Sequence, residues 1–548
     1  MRQRVLLVTL VLSLLSITGL IHAQNSMPLL YSFEGPWAES WYGRKMAAID
    51  LNADGYDDLL VFSGGSTTNP DDWTYYQLFW GGNAMSHEAS LIKTGDFNGQ
   101  VTIYVMMNAG DLNGDGYDDL MYSERYAYMA NDSLAIRIVY GGPNADMTPD
   151  YTINTDYAPS PGRPRIDPQW RLGDINGDGY DDLGILHWNN GSYPDLAIML
   201  GGSFQIITVK SSVSDNRIYQ INGVGDVNND GYDDFVVGYA LRIDNVITTF
   251  RYLFFGGDPI DLDNPVLLRT LADNGAWNFP GAYKVGDFNG DGFDDFVYCN
   301  GDSWPEDNKL RYGAEDIMSS DEFTLLNIGT SPSLINMDWH DRVVYGDFNG
   351  DGYSDIAGAN FKAYIYQGVA GFWLGGANPN TTCDLRIDRP STSPYQQFGY
   401  YMAAGDFNGD GYCDVAISAP HALPAYDPVY KGYVYIFAGN SDLTDTTVST
   451  DDYLQPPATE NIKIKCYPNP FHAESPKISY EIEGELPSRI DSAIWTIHNI
   501  RGQVVHRQTA DQPSKSGSLL PKKLSPGVYV VSLHINGQRI SSSKITIR

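Results

Sequence analysis

Seven times along the chain, oxygen-bearing side chains fall at alternate positions of a nine-residue stretch. The first copy sets Asp50, Asn52 and Asp54 two residues apart, then Gly55, Tyr56 and Asp58. That is chemistry for a hard divalent cation. Calcium takes roughly six to eight oxygen ligands at about 2.3–2.6 Å, and alternate side chains on a tight loop can converge on it. Glycine at position six permits the bend. Position seven would add a backbone carbonyl, and the Asp at position nine would close the site. The other copies repeat the set: Asp111, Asn113, Asp115, Tyr117 and Asp119; Asp174, Asn176, Asp178, Tyr180 and Asp182; Asp226, Asn228, Asp230, Tyr232 and Asp234. They continue with Asp287, Asn289, Asp291, Phe293 and Asp295; Asp347, Asn349, Asp351, Tyr353 and Asp355; and Asp406, Asn408, Asp410, Tyr412 and Asp414.

Asp-Asn-Gly clusters are also ordinary turn formers, but seven copies with Asp at one, five and nine and Asn at three favour a cation. Magnesium, which holds its waters and wants a stricter octahedron, suits the loops less well. A helix-flanked calcium loop would need Glu at position twelve, where the first copy has Val61. Position eight is Asp in five copies but Ser354 and Cys413 in the last two, so it is not expected to ligate. The aromatic at position seven is expected to pack between repeats. A near-copy at 95–100 has Gln100 where Asp-Gly should follow and is read as a non-binding connection. Up to seven calcium ions are therefore expected, in a structural role. At an ion concentration tenfold above Kd each would add about 1.4 kcal/mol by linkage.

The loops start at Asp50, Asp111, Asp174, Asp226, Asp287, Asp347 and Asp406, a period near sixty residues that marks a repeat architecture. A second mark recurs in step, an apolar run ending in small residues: LFWGG (78–82), IVYGG (138–142), IMLGG (198–202), LFFGG (253–257), LRYGA (310–314), FWLGG (372–376) and YIFAG (435–439). Short runs rich in Val, Ile, Tyr and Phe flank each loop and follow each closing mark. Four antiparallel strands per period predict an all-β chain, a seven-bladed β-propeller over residues 24–439. The seventh repeat lacks a fourth strand, and PLLYSFEG (28–35) has no repeat of its own. Leu29–Phe33 are therefore expected to form the outer strand of blade seven, the alternative being a disordered terminus.

Ahead of the repeats, Arg2 and Arg4 precede an apolar run from Val5 to Ile21 that ends at Ala23, the pattern of a secretory signal peptide over 1–23. No later stretch is apolar enough to span a bilayer, so no transmembrane segment is expected in the mature chain. Four cysteines (Cys299, Cys383, Cys413, Cys466) make neither a disulfide framework nor a zinc site, though one bridge stays open. Net charge is −33, and residues 461–548 are basic, so the acids concentrate in the repeats. Such a body repels nucleic acid and anionic lipid, and no nucleic-acid partner is expected.

Residues 28–439 resemble the FG-GAP repeats of integrin-α-type propellers. The loops carry most of that likeness, with Tyr42-Gly43 and Phe398-Gly399 matching the leading aromatic-glycine and Ser418-Ala419-Pro420 the trailing mark. The resemblance implies calcium loops and extracellular recognition of proteins or glycans; some carbohydrate-active enzymes contain similar propellers.

After a linker at 440–460, strands joined by Asn-Gly and Pro-Gly turns predict a small immunoglobulin-like β-sandwich over 461–548. Tyr467–Phe471, the IHNIRGQVV run (497–505) and the terminal Lys544–Arg548 resemble the C-terminal sorting domain of the type IX secretion system. That implies export through the type IX machinery of a Bacteroidota-like cell, to the surface or the medium. No nucleophile elbow, His-Glu-x-x-His or phosphate loop is present in the sequence. A non-enzymatic binder of an extracellular glycan or protein is the leading expectation. A polysaccharide lyase or hydrolase and a structural surface component are the alternatives.

Overall fold

In the computed structural model, residues 26–444 and 463–547 are described, except 36–40, 64–74, 84, 86–88, 90, 95–100, 127–132, 156–168, 188–194, 210–216, 244–245, 274–280, 300–308, 326–342, 362–366, 391–395, 422–430, 468–476, 484–489, 491–492, 500–503, 511–513, 522–523, 525–526 and 536–537. The signal-peptide reading and the near-copy at 95–100 thus lie outside the described residues. All elements among them are strands.

Each of the first six periods folds into one four-stranded antiparallel sheet whose strands follow chain order, and the seventh supplies three strands of a like sheet. Sheet one runs Lys45–Ile49, Asp58–Ser63, Tyr75–Phe79 and Leu91–Thr94. The first strands of sheets two to seven are Val101–Gly110, Gln169–Gly173, Arg217–Gly225, Gly281–Gly286, Val343–Gly346 and Met402–Gly405. Each first strand lies against those of the sheets before and after, and that of sheet seven lies against that of sheet one. The seven sheets therefore succeed one another in cyclic order, with the first strands innermost.

Sheet seven takes its fourth strand from the other end of the described chain. Leu29–Glu34 pairs antiparallel with Tyr433–Phe437, Leu29 opposite Phe437 and Glu34 opposite Tyr433. Ala438 N–H donates to the Pro28 carbonyl at 2.9 Å, extending the seam. Phe33, 5% exposed, sits 4.2 Å ring to ring from Phe79 of sheet one.

The second strands are buried along their whole length where residue 58, 355 or 414 starts them. A strand covered on both faces should read as a continuous apolar run, as DLLVFS and DVAISA do after their leading Asp. Between sheets the side chains mesh into separate cores; that between sheets five and six holds Phe288, Val297, Ile356 and Trp373, each fully buried. The carboxy-terminal residues form a three-stranded and a four-stranded sheet over one core around Trp495, Ile497, Val531 and Leu533.

Candidate metal centres

Every predicted loop joins the first and second strands of its sheet, so all seven lie at the same end of the cyclic array. The position-one carboxylate turns back on its own loop. Asp50 Oδ1 accepts the Asp54 N–H at 3.1 Å and Oδ2 the Gly55 N–H at 2.9 Å. Asn52 Oδ1 accepts the same Asp54 N–H at 3.0 Å, and Asp54 Oδ1 accepts the Tyr56 N–H at 3.1 Å. The third loop repeats the pattern from Asp174 to Tyr180, and the last from Asp406 to Tyr412. The position-six glycines hold φ between +90° and +97°, a region that costs them nothing sterically.

The position-nine aspartates are fully buried and tie the two periodic sequence marks together. Asp58 Oδ2 accepts the Leu51 N–H at 3.1 Å, and its Oδ1 accepts the N–H of Gly81, first glycine of the closing mark, at 2.8 Å. Asp119 with Gly141, Asp182 with Gly201, Asp234 with Gly256, Asp295 with Gly313, Asp355 with Gly375 and Asp414 with Gly439 repeat the second bond. Burial, followed by the nearby carboxylates at positions one and five, pushes Asp58 up to about 8. Asp119 and Asp234 also rise to about 8 and Asp182 to about 7, with burial the largest cause each time.

Among the described residues, no three His, Cys, Asp or Glu side chains are drawn together closely enough to hold a metal ion by themselves. The donor set nevertheless suits a hard cation. Each carboxylate has several lone-pair directions, and the backbone amides use only part of them. In the last loop, Asp414 Oδ2 is buried without a hydrogen-bond partner, while burial and the charges of Asp410 and Asp406 push that group up to about 8. Buried, mutually repelling carboxylate oxygens are what a bound cation would neutralise.

Position eight has a role that sequence spacing did not disclose. The Asp181 carboxylate accepts the N–H of Asp111, position one of the preceding loop, at 2.8 Å. Asp233 does the same for Asp174, Asp294 for Asp226 and Asp57 for Asp406, at 2.9–3.0 Å. Where position eight is Ser354 or Cys413, the backbone N–H still donates to the preceding loop's position-one carbonyl. The residue after the first glycine of each closing mark, from Gly82 to Asn440, donates to the carbonyl at position two of the preceding loop. The position-seven aromatics lie between sheets: a Cβ built on Gly114 would meet the Tyr180 ring at 2.2 Å, and one on Gly350 the Tyr412 ring at 2.6 Å.

Towards the array's centre, two cations serve the position-eight acids. Arg171 on the first strand of sheet three bonds Asp181 at 3.1 Å, and Lys284 on that of sheet five bonds Asp294 at 2.7 Å, with Asp233 at 4.0 Å. Burial alone would lower the Lys284 pKa; Asp294, Tyr345 and Asp233 outweigh it and keep the ammonium charged. At the opposite end of sheets one and seven, Arg44 lies 5.0 Å over the Trp41 ring, which meets His421 edge-on at 4.7 Å. Sequence reading left all five of these residues aside, because only strand register brings them together. Cys383, Cys413 and Cys466 are free thiols.

The FG-GAP repeat model matches residues 398–437, and the model of the secretion system C-terminal sorting domain matches residues 465–548. Integrin alpha-PS3 of Drosophila melanogaster is 29% identical over 201 residues, 33% of this chain and 16% of its own length. Integrin alpha-4 and integrin alpha-5 of Xenopus laevis are 25% and 28% identical, over 30% and 28% of this chain and 16% and 15% of theirs. The chain thus spans about a sixth of the length of these curated relatives. Among solved structures, an α-L-arabinofuranosidase of Fusarium graminearum, complexed with an iminosugar inhibitor, overlaps 75% of this chain and 98% of its own at 10% identity and TM-score 0.37. A six-bladed, fucose-recognising lectin of Aleuria aurantia overlaps 67% and 100% at 12% identity and TM-score 0.31. Overlaps this loose carry no argument about activity. No helix among the described residues is long and apolar enough to cross a membrane. The chain thus carries an FG-GAP repeat at 398–437, is partly similar to integrin α subunits, and has at 465–548 a type IX sorting domain that marks it for export to the cell surface or the medium.

Proposed function

We propose that residues 24–439 form a seven-bladed β-propeller stabilised by calcium in its seven loops, which holds an extracellular glycan or protein, and that it does not act as an enzyme. Residues 1–23 would be removed as a signal peptide, 440–460 would link, and 461–548 would engage the export machinery. In each loop the residues at positions one, three, five and nine would hold the ion, with the position-seven carbonyl; in the first these are Asp50, Asn52, Asp54, Asp58 and Tyr56. Bound there, the cation would neutralise carboxylates that otherwise repel one another.

The observation that carries this reading is the position-nine carboxylate. It is buried in all seven repeats and hydrogen-bonded to the turn after the third strand. Neighbouring acids at positions eight and nine could imitate a general acid–base pair. Here four of the five position-eight acids accept an N–H of the preceding loop and each position-nine acid one of its own sheet, so both are engaged in holding the array. A binder is what remains for exposed surfaces to supply.

The test is retention of the calcium-loaded chain on a panel of immobilised polysaccharides and extracellular-matrix proteins, with release of reducing or unsaturated ends assayed in parallel. Retention without product supports the binder. Product that disappears with a chelator overturns it in favour of a glycan-degrading enzyme, and neither signal leaves the surface-coat alternative.

A further inference from the structure

Between sheets four and five, positive charge gathers on the rim of an otherwise acidic molecule. Arg251, on the third strand of sheet four (Val246–Phe254), stands directly across from Arg269 on the fourth (Val266–Asp273). Like charges opposite one another in an antiparallel pair are destabilising unless something lies between them. Both guanidiniums lie over the ring of Tyr298 on the second strand of sheet five, 4.9 Å and 5.9 Å from its centroid. Arg311, on the third strand of sheet five, enters the same layer. The Tyr298 hydroxyl donates to Glu322, whose carboxylate lies 4.0 Å from Arg269 Nη1 and 3.9 Å from Arg311 Nε, too far for a hydrogen bond to either.

Arg251 is 1% exposed and Arg311 7%. Arg311 Nε and Nη1 are buried and make no hydrogen bond. A guanidinium cannot shed its proton to relieve burial, and a buried charge without a hydrogen-bonded partner is costly. Acids are plentiful in this sequence, yet Glu322 is shared between two arginines here. Arg269 and Glu322 keep side-chain exposures of 23% and 30%, so the layer opens to solvent along the outermost strands.

We propose that Arg251, Arg269 and Arg311 form a binding site for one sulfate- or phosphate-type oxyanion at the rim between sheets four and five. Guanidinium forks match such oxyanions bidentately, and Arg holds its charge under any condition the folded protein meets. The site stands independently of the calcium loops. Its oxyanion comes either as the free ion or as an ester on an extracellular glycan.

Inorganic sulfate is the probe, titrated calorimetrically into the calcium-loaded full chain at ionic strength matched with chloride. Arg269→Gln, on the open edge, should weaken sulfate binding by about tenfold or more, the loss of a hydrogen bond to a charged group. Arg311→Met should abolish binding while melting in chloride no lower than the parent, because it removes a charge whose buried Nε and Nη1 make no hydrogen bond. Sulfate stabilises folded proteins generally by exclusion, so the comparison is always between parent and variant. Equal sulfate response in all three proteins, or a marked fall in Arg311→Met stability in chloride, would overturn the proposal. Dextran sulfate against neutral dextran separates the sources. Retention lost in Arg269→Gln identifies the ester, and sulfate binding without dextran sulfate retention identifies the free ion.

Discussion

Gly173→Ala tests whether the sheets are held to one another at the loops. Gly173 ends the first strand of sheet three with φ +88°, and a Cβ built on it would lie 2.1 Å from Asp233 Oδ2 of sheet four. That oxygen accepts the Asp174 N–H at 3.0 Å. Alanine therefore meets two penalties. Left-handed backbone costs an L-residue about 1–2 kcal/mol. Displacing the carboxylate loses a hydrogen bond to a charged group, about 1.5–3 kcal/mol when buried, reduced to about 1 kcal/mol because Asp233 keeps 27% side-chain exposure and water can replace it. Lower unfolded-chain entropy returns about 0.5 kcal/mol. The expected net loss is about 2 kcal/mol. The chain contains its own precedent: before the first loop Ile49 stands where the glycine would be, and Asp118 takes a hydrogen bond from Asn108 Nδ2 at 2.7 Å. Urea unfolding of calcium-loaded Gly173→Ala, Asp233→Ala and the double variant, followed by tryptophan fluorescence, closes the cycle. With the carboxylate gone, alanine should cost little beyond its backbone strain, giving a coupling of about 1 kcal/mol. A coupling indistinguishable from zero would refute the junction argument.

The position-nine aspartates set a pH dependence for the chelated protein. The folded values of Asp58, Asp119, Asp182, Asp234 and Asp414, about 7–8, lie above the ordinary 3.8, and burial raises Asp295 and Asp355 as well, so the native state binds more protons. That stability is fully present below 3.8 and is lost as pH rises through 7–8, so melting temperature in chelator should fall between pH 5 and 8. With calcium saturating it should not, and a flat curve in chelator would contradict the assignment. In chelator, Asp58→Asn should destabilise by about 1–3 kcal/mol, because the new amide must face the Leu51 or Gly81 N–H. Asp414→Asn should cost less, its Oδ2 making no hydrogen bond, and urea unfolding should rank the two in that order. Removing residues 26–34 strips the pairing from Tyr433–Phe437 and exposes an edge. The expected result is a lower melting temperature with concentration-dependent association in light scattering.

The all-β class and the repeat period were legible because loop and strand signals sit within a few residues of one another. DLNGDGYDD carries its own turn chemistry, and the apolar runs beside it carry their own strand propensity. The fourth strand of sheet seven could be matched because Leu29–Phe33 had no repeat and the last repeat had no strand. What escaped was everything that depends on partners a whole repeat away. Asp181 reaches Asp111 and Asp233 reaches Asp174 across 70 and 59 residues. The one local trace was a glycine directly before six of the seven loops, present in Gly110 and Gly173 and replaced by Ile49. Arg251, Arg269 and Arg311 left no trace, since nothing short of strand register aligns them.

That long-range bonding explains why two sequence marks recur with a single period. The position-nine carboxylate of each opening loop accepts the N–H of the first glycine of its own closing mark, as Asp182 does from Gly201. The next residue, Gly202, gives its N–H to the Leu112 carbonyl in the preceding loop. Neither mark is satisfied without the other, so neither can drift in sequence alone. In four repeats the position-one aspartate is thus doubly placed: its carboxylate shapes the loop of its own sheet, and its backbone N–H is held by the next sheet. Asp174 shows both, bonding Gly179 within the loop and Asp233 across the junction. A cation seated in one loop would therefore stiffen two sheets. Nearest-neighbour coupling of this kind makes stability a property of the whole array, in which each repeat depends on its neighbours. With the sheets in cyclic order, every loop has a neighbour on both sides, including the pair where Asp57 holds the N–H of Asp406.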